Sequence, residues 1–200
     1  MQPNTHALMA QIIYRIVNND HSSLDLNYKS FRHGCIRPDF IPKPLKVPHY
    51  KRKSFEYLLS KIEKIQQEFL PDSDKNLKRF SVKLGIITHY LADYFCLAHN
   101  DPKYNFFPLH FAYEKKLSQQ FSQLNETSLK IIQDRCFSTI NENNVTRANW
   151  LGDYINKKHQ EYLDCPETLS KDTMYSLEVC LTAILVIIKK IFSNLEKAAA

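Results

Sequence analysis

The chain has 200 residues, enough for one domain with a substantial core. Its 44% hydrophobic and 24% charged content is ordinary for a folded soluble protein, and three glycines are few for the turns of an all-β fold, so helix is favoured. The net charge of +6 draws the chain weakly toward anionic surfaces, phospholipid headgroups or nucleic acid, without choosing between them.

Residues 5–18 carry a helical stripe of Leu8, Ile12, Ile13, Ile16 and Val17. Thr5 serves as N-cap, which puts His6 in the first turn. Residues 19–52 read as irregular, because Pro38, Pro42, Pro44 and Pro48 block regular helix. This long segment holds Asp39 and His49, and a loop of that length is ordinarily functional or pinned by something, such as metal ligation. An amphipathic helix follows over 53–69, its stripe formed by Leu58, Leu59, Ile62, Ile65 and Phe69, with Pro71 stopping it. The next helix spans 75–97. Gly85 lies inside it and allows a neighbour to pack closely, and Asn100-Asp101-Pro102 ends it. Further helices are expected over 108–122, opened by Pro108, and over 127–140, 146–162 and 167–195. The last is apolar through Leu177–Ile191 and reads as the central buried helix.

The expected fold is therefore all-α, a single-domain helical bundle over residues 1–197. Ala198–Ala200 are set aside as native sequence or a cloning remnant. The longest apolar run, Val179–Ile188, is interrupted by Thr182 and too short to span a bilayer. The N-terminus lacks the basic start, apolar core and small-residue cleavage site of a secretory leader. A cytoplasmic location is expected if the chain is full length, and a secreted one if a leader has been removed. Cys35, Cys96, Cys136, Cys165 and Cys180 form no CxxC pair and are odd in number. That argues against a thiolate zinc knuckle and a disulfide framework, and most of them read as small buried hydrophobes.

The stretch His89–Glu114 is the densest in chemistry, placing His89, Asp93, His99, His110 and Glu114 close together. His89/Asp93 and His110/Glu114 are each spaced i,i+4, so each pair projects from one helix face. Asp93 can share an ion with His89 or bridge two ions, and His99 can join His110 and Glu114 once the intervening helix has ended. His6, Asp39 and His49 are further candidate ligands. A lone HxxxD or HxxxE is common by chance, and a lone histidine on an apolar face is more often a core residue; five such residues in one short window are less easily dismissed. His21, His33 and His159 have polar neighbours and read as surface or loop residues. Asp101 and Asp153 read as caps or turn residues, Glu56 and Glu63 as a solvated face, and the aromatics Tyr90, Tyr94, Phe95, Tyr104, Phe106 and Phe107 as core rather than a headgroup box, with room for some to line the cleft.

The order His6, Asp39, His49, His89-xxx-Asp93, His99, His110-xxx-Glu114 resembles the bacterial zinc-dependent phospholipases C, the alpha-toxin-like group, whose scaffold is shared by single-strand-specific zinc nucleases. HYLADYFCLAHN, HFAYE and GCIRPDF carry the resemblance, which runs over roughly residues 5–195. It implies a multinuclear cleft with two or three Zn2+ ions. Asp39, His49, His89 and Asp93 would hold one ion, His99, His110 and Glu114 a second, and His6 with bridging Asp93 a third. In the family the third ion also takes the amine and carbonyl of an N-terminal tryptophan, whereas the one tryptophan here is Trp150. The implied reaction is attack of a metal-bound hydroxide on a phosphodiester, as in a phospholipase C that releases a phosphorylated headgroup, with Asp39 as the catalytic carboxylate. The expected partner is a phospholipid or other phosphodiester, with transient contact at a membrane surface. Two alternatives stay open: a single-strand nuclease on the same scaffold, for which nucleic acid is the partner, and a catalytically degenerate metal-binding helical protein. The chain has no HExxH of a zinc protease, and none of the Glu-x-x-His pairs of ferritin-like sites occurs among these ligands.

Overall fold

The computed structural model describes residues 1–19 and 24–199. His21 lies outside the described residues. Among them are eight α-helices, α1 (Pro3–Asn19), α2 (Tyr28–Ile36), α3 (Lys51–Gln66), α4 (Asp74–Tyr94), α5 (Phe107–Ser122), α6 (Glu126–Glu142), α7 (Trp150–Asp164) and α8 (Leu169–Ala199), and no strand. The expected all-α fold is what the chain adopts.

Helix α8 packs against α1, α3, α4, α5, α6 and α7, which makes it the central element. Val179, Cys180, Ala183, Ile184, Val186 and Ile187 are fully buried along it. A helix apolar on nearly all faces must be surrounded to be stable. No described helix is long and apolar enough to cross a membrane. All five cysteines are free; Cys165 is half-buried and the others are buried.

The segment 19–52 is not wholly irregular. Helix α2 forms within it, opened by Asn27, whose side chain accepts from the Ser30 amide at 3.0 Å. A 3-10 turn follows at Arg37–Phe40, with Pro38 in its first positions. The prolines therefore shape the second half of the segment and leave the first free to coil. Helix α2 crosses α4 backbone to backbone. A Cβ on Gly34 would lie 2.3 Å from the Val82 carbonyl oxygen, and one on Gly85 would lie 2.3 Å from the Phe31 carbonyl oxygen. Only glycine fits at either position.

At three helix ends the structure shows why the boundary departs from expectation. Helix α3 stops at Gln66, leaving Phe69 exposed rather than on the apolar stripe. Helix α4 stops at Tyr94, because Asn100 Nδ2 donates to the carbonyls of Tyr94 at 3.0 Å and Cys96 at 2.8 Å, drawing the chain into a 3-10 turn at Leu97–His99. Helix α7 starts at Trp150 rather than near 146, since Asn149 takes a left-handed φ of 62° that no helix continues through.

Candidate metal centre

Asp93 lies at the centre of the site, fully buried on the last turn of α4. Its Oδ2 is 2.8 Å from His49 Nδ1 and 3.4 Å from His89 Nε2. Its Oδ1 is 3.4 Å from His6 Nε2 and 3.6 Å from His99 Nε2. One carboxylate thus faces two groups of histidines, one with each oxygen.

Each neighbour arrives from a different element. His6 comes from the first turn of α1 and stacks on His89, ring centroids 4.0 Å apart. Asp39 comes from the 3-10 turn after α2, and His49 from the bend just before α3. His89 Nδ1 donates to the Cys35 carbonyl at 2.8 Å, across the glycine crossing of α2 and α4. That bond leaves the Nε2 lone pair aimed at Asp93 and Asp39, as ligating histidines require. His99 follows the early end of α4, its Nε2 3.3 Å from Glu114 Oε1. On α5, His110 Nδ1 donates to the Tyr104 carbonyl at 3.2 Å, while Nε2 is 2.9 Å from Glu114 Oε1.

All eight side chains singled out from the sequence converge. Three compact groups of donor atoms form among the described residues: His6, His89 and Asp93; Asp39, His49 and His89; and Cys96, His99 and Glu114. The third includes Cys96, a member the spacing Asp93–Cys96–His99 could have suggested. Burial holds the Cys96 thiol far above its ordinary pKa.

The second feature missed from the sequence is the α-amine of Met1. It is fully buried, 2.5 Å from Asp93 Oδ1, 2.9 Å from Glu114 Oε1 and 3.0 Å from His99 Nε2. Burial works to lower its pKa, but Asp93 and Glu114 outweigh that and push it up to about 12. The same mutual attraction, led by the amine, holds both carboxyls far below the usual range against the upward pull of burial. Burial lowers His99 to about 4 and drives His89 well down. Asp39 moves the other way, raised by burial with a further push from Asp93.

Buried polar atoms ordinarily find partners. Here, among the described residues, His6 Nε2, Asp39 Oδ2, His49 Nε2 and His99 Nδ1 have no hydrogen-bond partner. Imidazole nitrogens and a carboxylate oxygen left so, around a shared negative centre, fit divalent cations such as zinc.

Outside the cluster, His159 departs from expectation. It is buried, with Nε2 donating to Asn100 Oδ1 at 3.1 Å, whereas His33 is exposed as expected. Phe106 and Phe107, expected in the core, are 62% and 74% exposed, because α5 begins at Phe107 with its first turn turned outward. Tyr90, Tyr94 and Phe95 are core residues. Asp101 caps the short turn after it by accepting from the Lys103 amide at 2.8 Å.

The family model described as zinc dependent phospholipase C matches residues 5–167, a stretch that contains all eight converging side chains and ends before α8. No curated protein and no solved structure matches the chain.

Proposed function

The chain belongs to the zinc-dependent phospholipase C family, and we propose that it is a phospholipase C that splits a phospholipid into diacylglycerol and a phosphorylated headgroup. The observation that supports this most is the set of unpartnered buried donor atoms around Asp93. Asp39, His49, His89 and Asp93 would hold one zinc ion, His99, His110 and Glu114 a second, and His6 with Asp93 a third. Zinc in such sites supplies Lewis acidity toward phosphoryl oxygens and lowers the pKa of water.

The side chains divide the remaining work. Asp93 spans the two halves of the cluster and sets their separation. The Cys35 carbonyl keeps His89 in one tautomer, and the Tyr104 carbonyl does the same for His110. Asp39, whose carboxyl is raised by burial, orients a water molecule and accepts its proton. The water oxygen attacks phosphorus in line, the bond from phosphorus to the glycerol oxygen breaks, and the proton passes to the departing alkoxide.

Phe106, Phe107, Leu109 and Phe111 are exposed beside His110. An apolar rim next to a polar centre suits transient contact with a lipid surface, the acyl chains lying against the rim. Exposed aromatics also stack on bases, which is what the single-strand nuclease alternative would use. Salt dependence separates the two: steep weakening of substrate binding with salt marks the nuclease.

The deciding experiment is zinc stoichiometry by elemental mass spectrometry on protein purified without added metal or chelator, paired with hydrolysis of a panel of short-chain phospholipids. Two or three zincs per chain and release of diacylglycerol are expected. No zinc bound, and none taken up on titration, would sink the reading.

A further inference from the structure

Beside the metal cluster lies a cavity of about 230 Å3 that shares the wall formed by His99. Its remaining polar lining comes from Lys51, Arg52, Asn100, Asn105 and His159, with Asp101 as its one carboxylate among the described residues. We propose that this cavity is the headgroup subsite and that it selects phospholipids whose headgroup carries an anionic group of its own, a carboxylate or a phosphate monoester, over those carrying choline. The inference rests on the phospholipase C reading.

Charge is the first argument. The first turn of α3 reads Lys51-Arg52-Lys53, contains no acidic residue and has no side-chain cap. A helix N-terminus carries a partial positive charge, so three successive cations there work against the helix itself. No carboxylate pairs with Lys51 or Arg52 among the described residues. Lys51 Nζ donates instead to Asn156 Oδ1 at 2.6 Å, and burial pulls its pKa down, as expected of a cation lacking a counter-ion. Asp101 does not neutralise the cavity, because Lys103 Nζ holds it at 2.9 Å.

The second argument is what the walls lack. Quaternary ammonium groups are bound by cages of several aromatic faces. Tyr50 is the one Phe, Tyr or Trp lining this cavity among the described residues, and the Lys53 ammonium already sits 5.9 Å from its ring. Rigidity is the third. Asn100 donates to the carbonyls of Tyr94 and Cys96 and accepts from His159, so the back wall is hydrogen-bonded before a ligand enters. A preformed polar wall beside cations recognises an anion without a large ordering cost.

The test compares kcat/KM of the zinc-loaded protein for monomeric short-chain phosphatidylcholine, phosphatidylserine and phosphatidylinositol 4-phosphate. Monomeric substrates remove any effect of a charged bilayer. At least one anionic headgroup should exceed choline by about tenfold or more, and Arg52→Glu and Lys51→Glu should each erase that ratio. Zinc content and melting temperature of the variants confirm folding; Arg52 is exposed, so its variant keeps the test valid should Lys51→Glu fail to fold. Hydrolysis of phosphatidylcholine at an equal or higher rate overturns the inference and leaves the phospholipase C reading intact. An anionic preference that survives both variants overturns the assignment to this cavity. Failure to hydrolyse any of the three lipids overturns the phospholipase C reading itself.

Discussion

Asp93 faces four histidines and an amine with one oxygen or the other, so it is the residue whose loss should do most harm. Asp93→Asn should abolish zinc uptake at more than one position, read by elemental analysis. Asp39 should behave differently, because it sits at the edge of the cluster and its partners lie 3.8 Å away or more. Asp39→Asn is expected to lower kcat by about 10²–10⁴-fold while most zinc is retained. A variant that keeps its rate removes Asp39 from the proton-accepting role. The Met1 amine offers a third residue-scale test. Its ammonium stands where the field of Asp93 and Glu114 is strongest, and a divalent ion would compete for the same place. Acetylating that amine removes both its charge and its lone pair, and should change zinc stoichiometry measured at fixed free zinc.

At the scale of elements, two devices hold the ligands in register. One is the glycine crossing. Gly34 and Gly85 let α2 approach α4 until the Cys35 carbonyl reaches His89. Gly85→Ala should cost about 1–3 kcal/mol from overpacking and loosen zinc binding in the same variant. Thermal unfolding and zinc titration check it, and an unchanged zinc affinity would detach the crossing from the site. The other device is Asp172 on α8. It accepts from the Leu97 amide at 2.7 Å, from the Tyr113 hydroxyl at 2.8 Å and from the Tyr162 hydroxyl at 2.7 Å. It thereby ties the turn bearing His99, the helix bearing Glu114 and α7 to the central helix. Burial pushes its carboxyl up from 3.8 to about 6, against those three donors. The folded state then binds that proton more tightly than the unfolded chain. The resulting stabilisation is complete below pH 3.8 and lost as pH rises through 6, an effect of about 3 kcal/mol. The difference in melting temperature between the native chain and Asp172→Asn should therefore shift between pH 4 and pH 7. A constant difference would mean the carboxyl does not titrate in that window.

For the whole molecule, the cluster joins α1, α4, α5 and the loops before α3, elements far apart in sequence. Ions bound there cross-link the amino-terminal half of the bundle, and their binding energy is folding energy. At a hundredfold excess over Kd one site contributes about 2.7 kcal/mol, which for a chain of this size is roughly 5–10 °C in Tm. Removing zinc with a chelator should lower Tm by at least that much, and readdition should restore it. The family match ends at residue 167, yet α8 supplies the core and, through Asp172, an anchor for two ligand-bearing segments. Truncation at that point is expected to give an unfolded chain by circular dichroism.

The sequence by itself determined the helical fold, the central place of α8 and the family. Helical periodicity and the i,i+4 pairs are local properties, visible wherever apolar residues or ligand types recur at 3.6-residue spacing. It also picked out all eight converging side chains, through a ligand order that survives without any knowledge of distance. Only the tertiary structure decided how they meet. Asp93 facing both halves, Cys96 beside His99, the Met1 amine among the carboxylates, His159 buried against Asn100 and the basic cavity beside His99 each depend on elements remote in the chain. Helix α2 was hidden by the prolines that follow it, and the outward turn of Phe106 and Phe107 by an apolar character that fits a core or a surface equally. Residue type fixes what a side chain can bind, while burial and partner are set by packing, which no local pattern encodes.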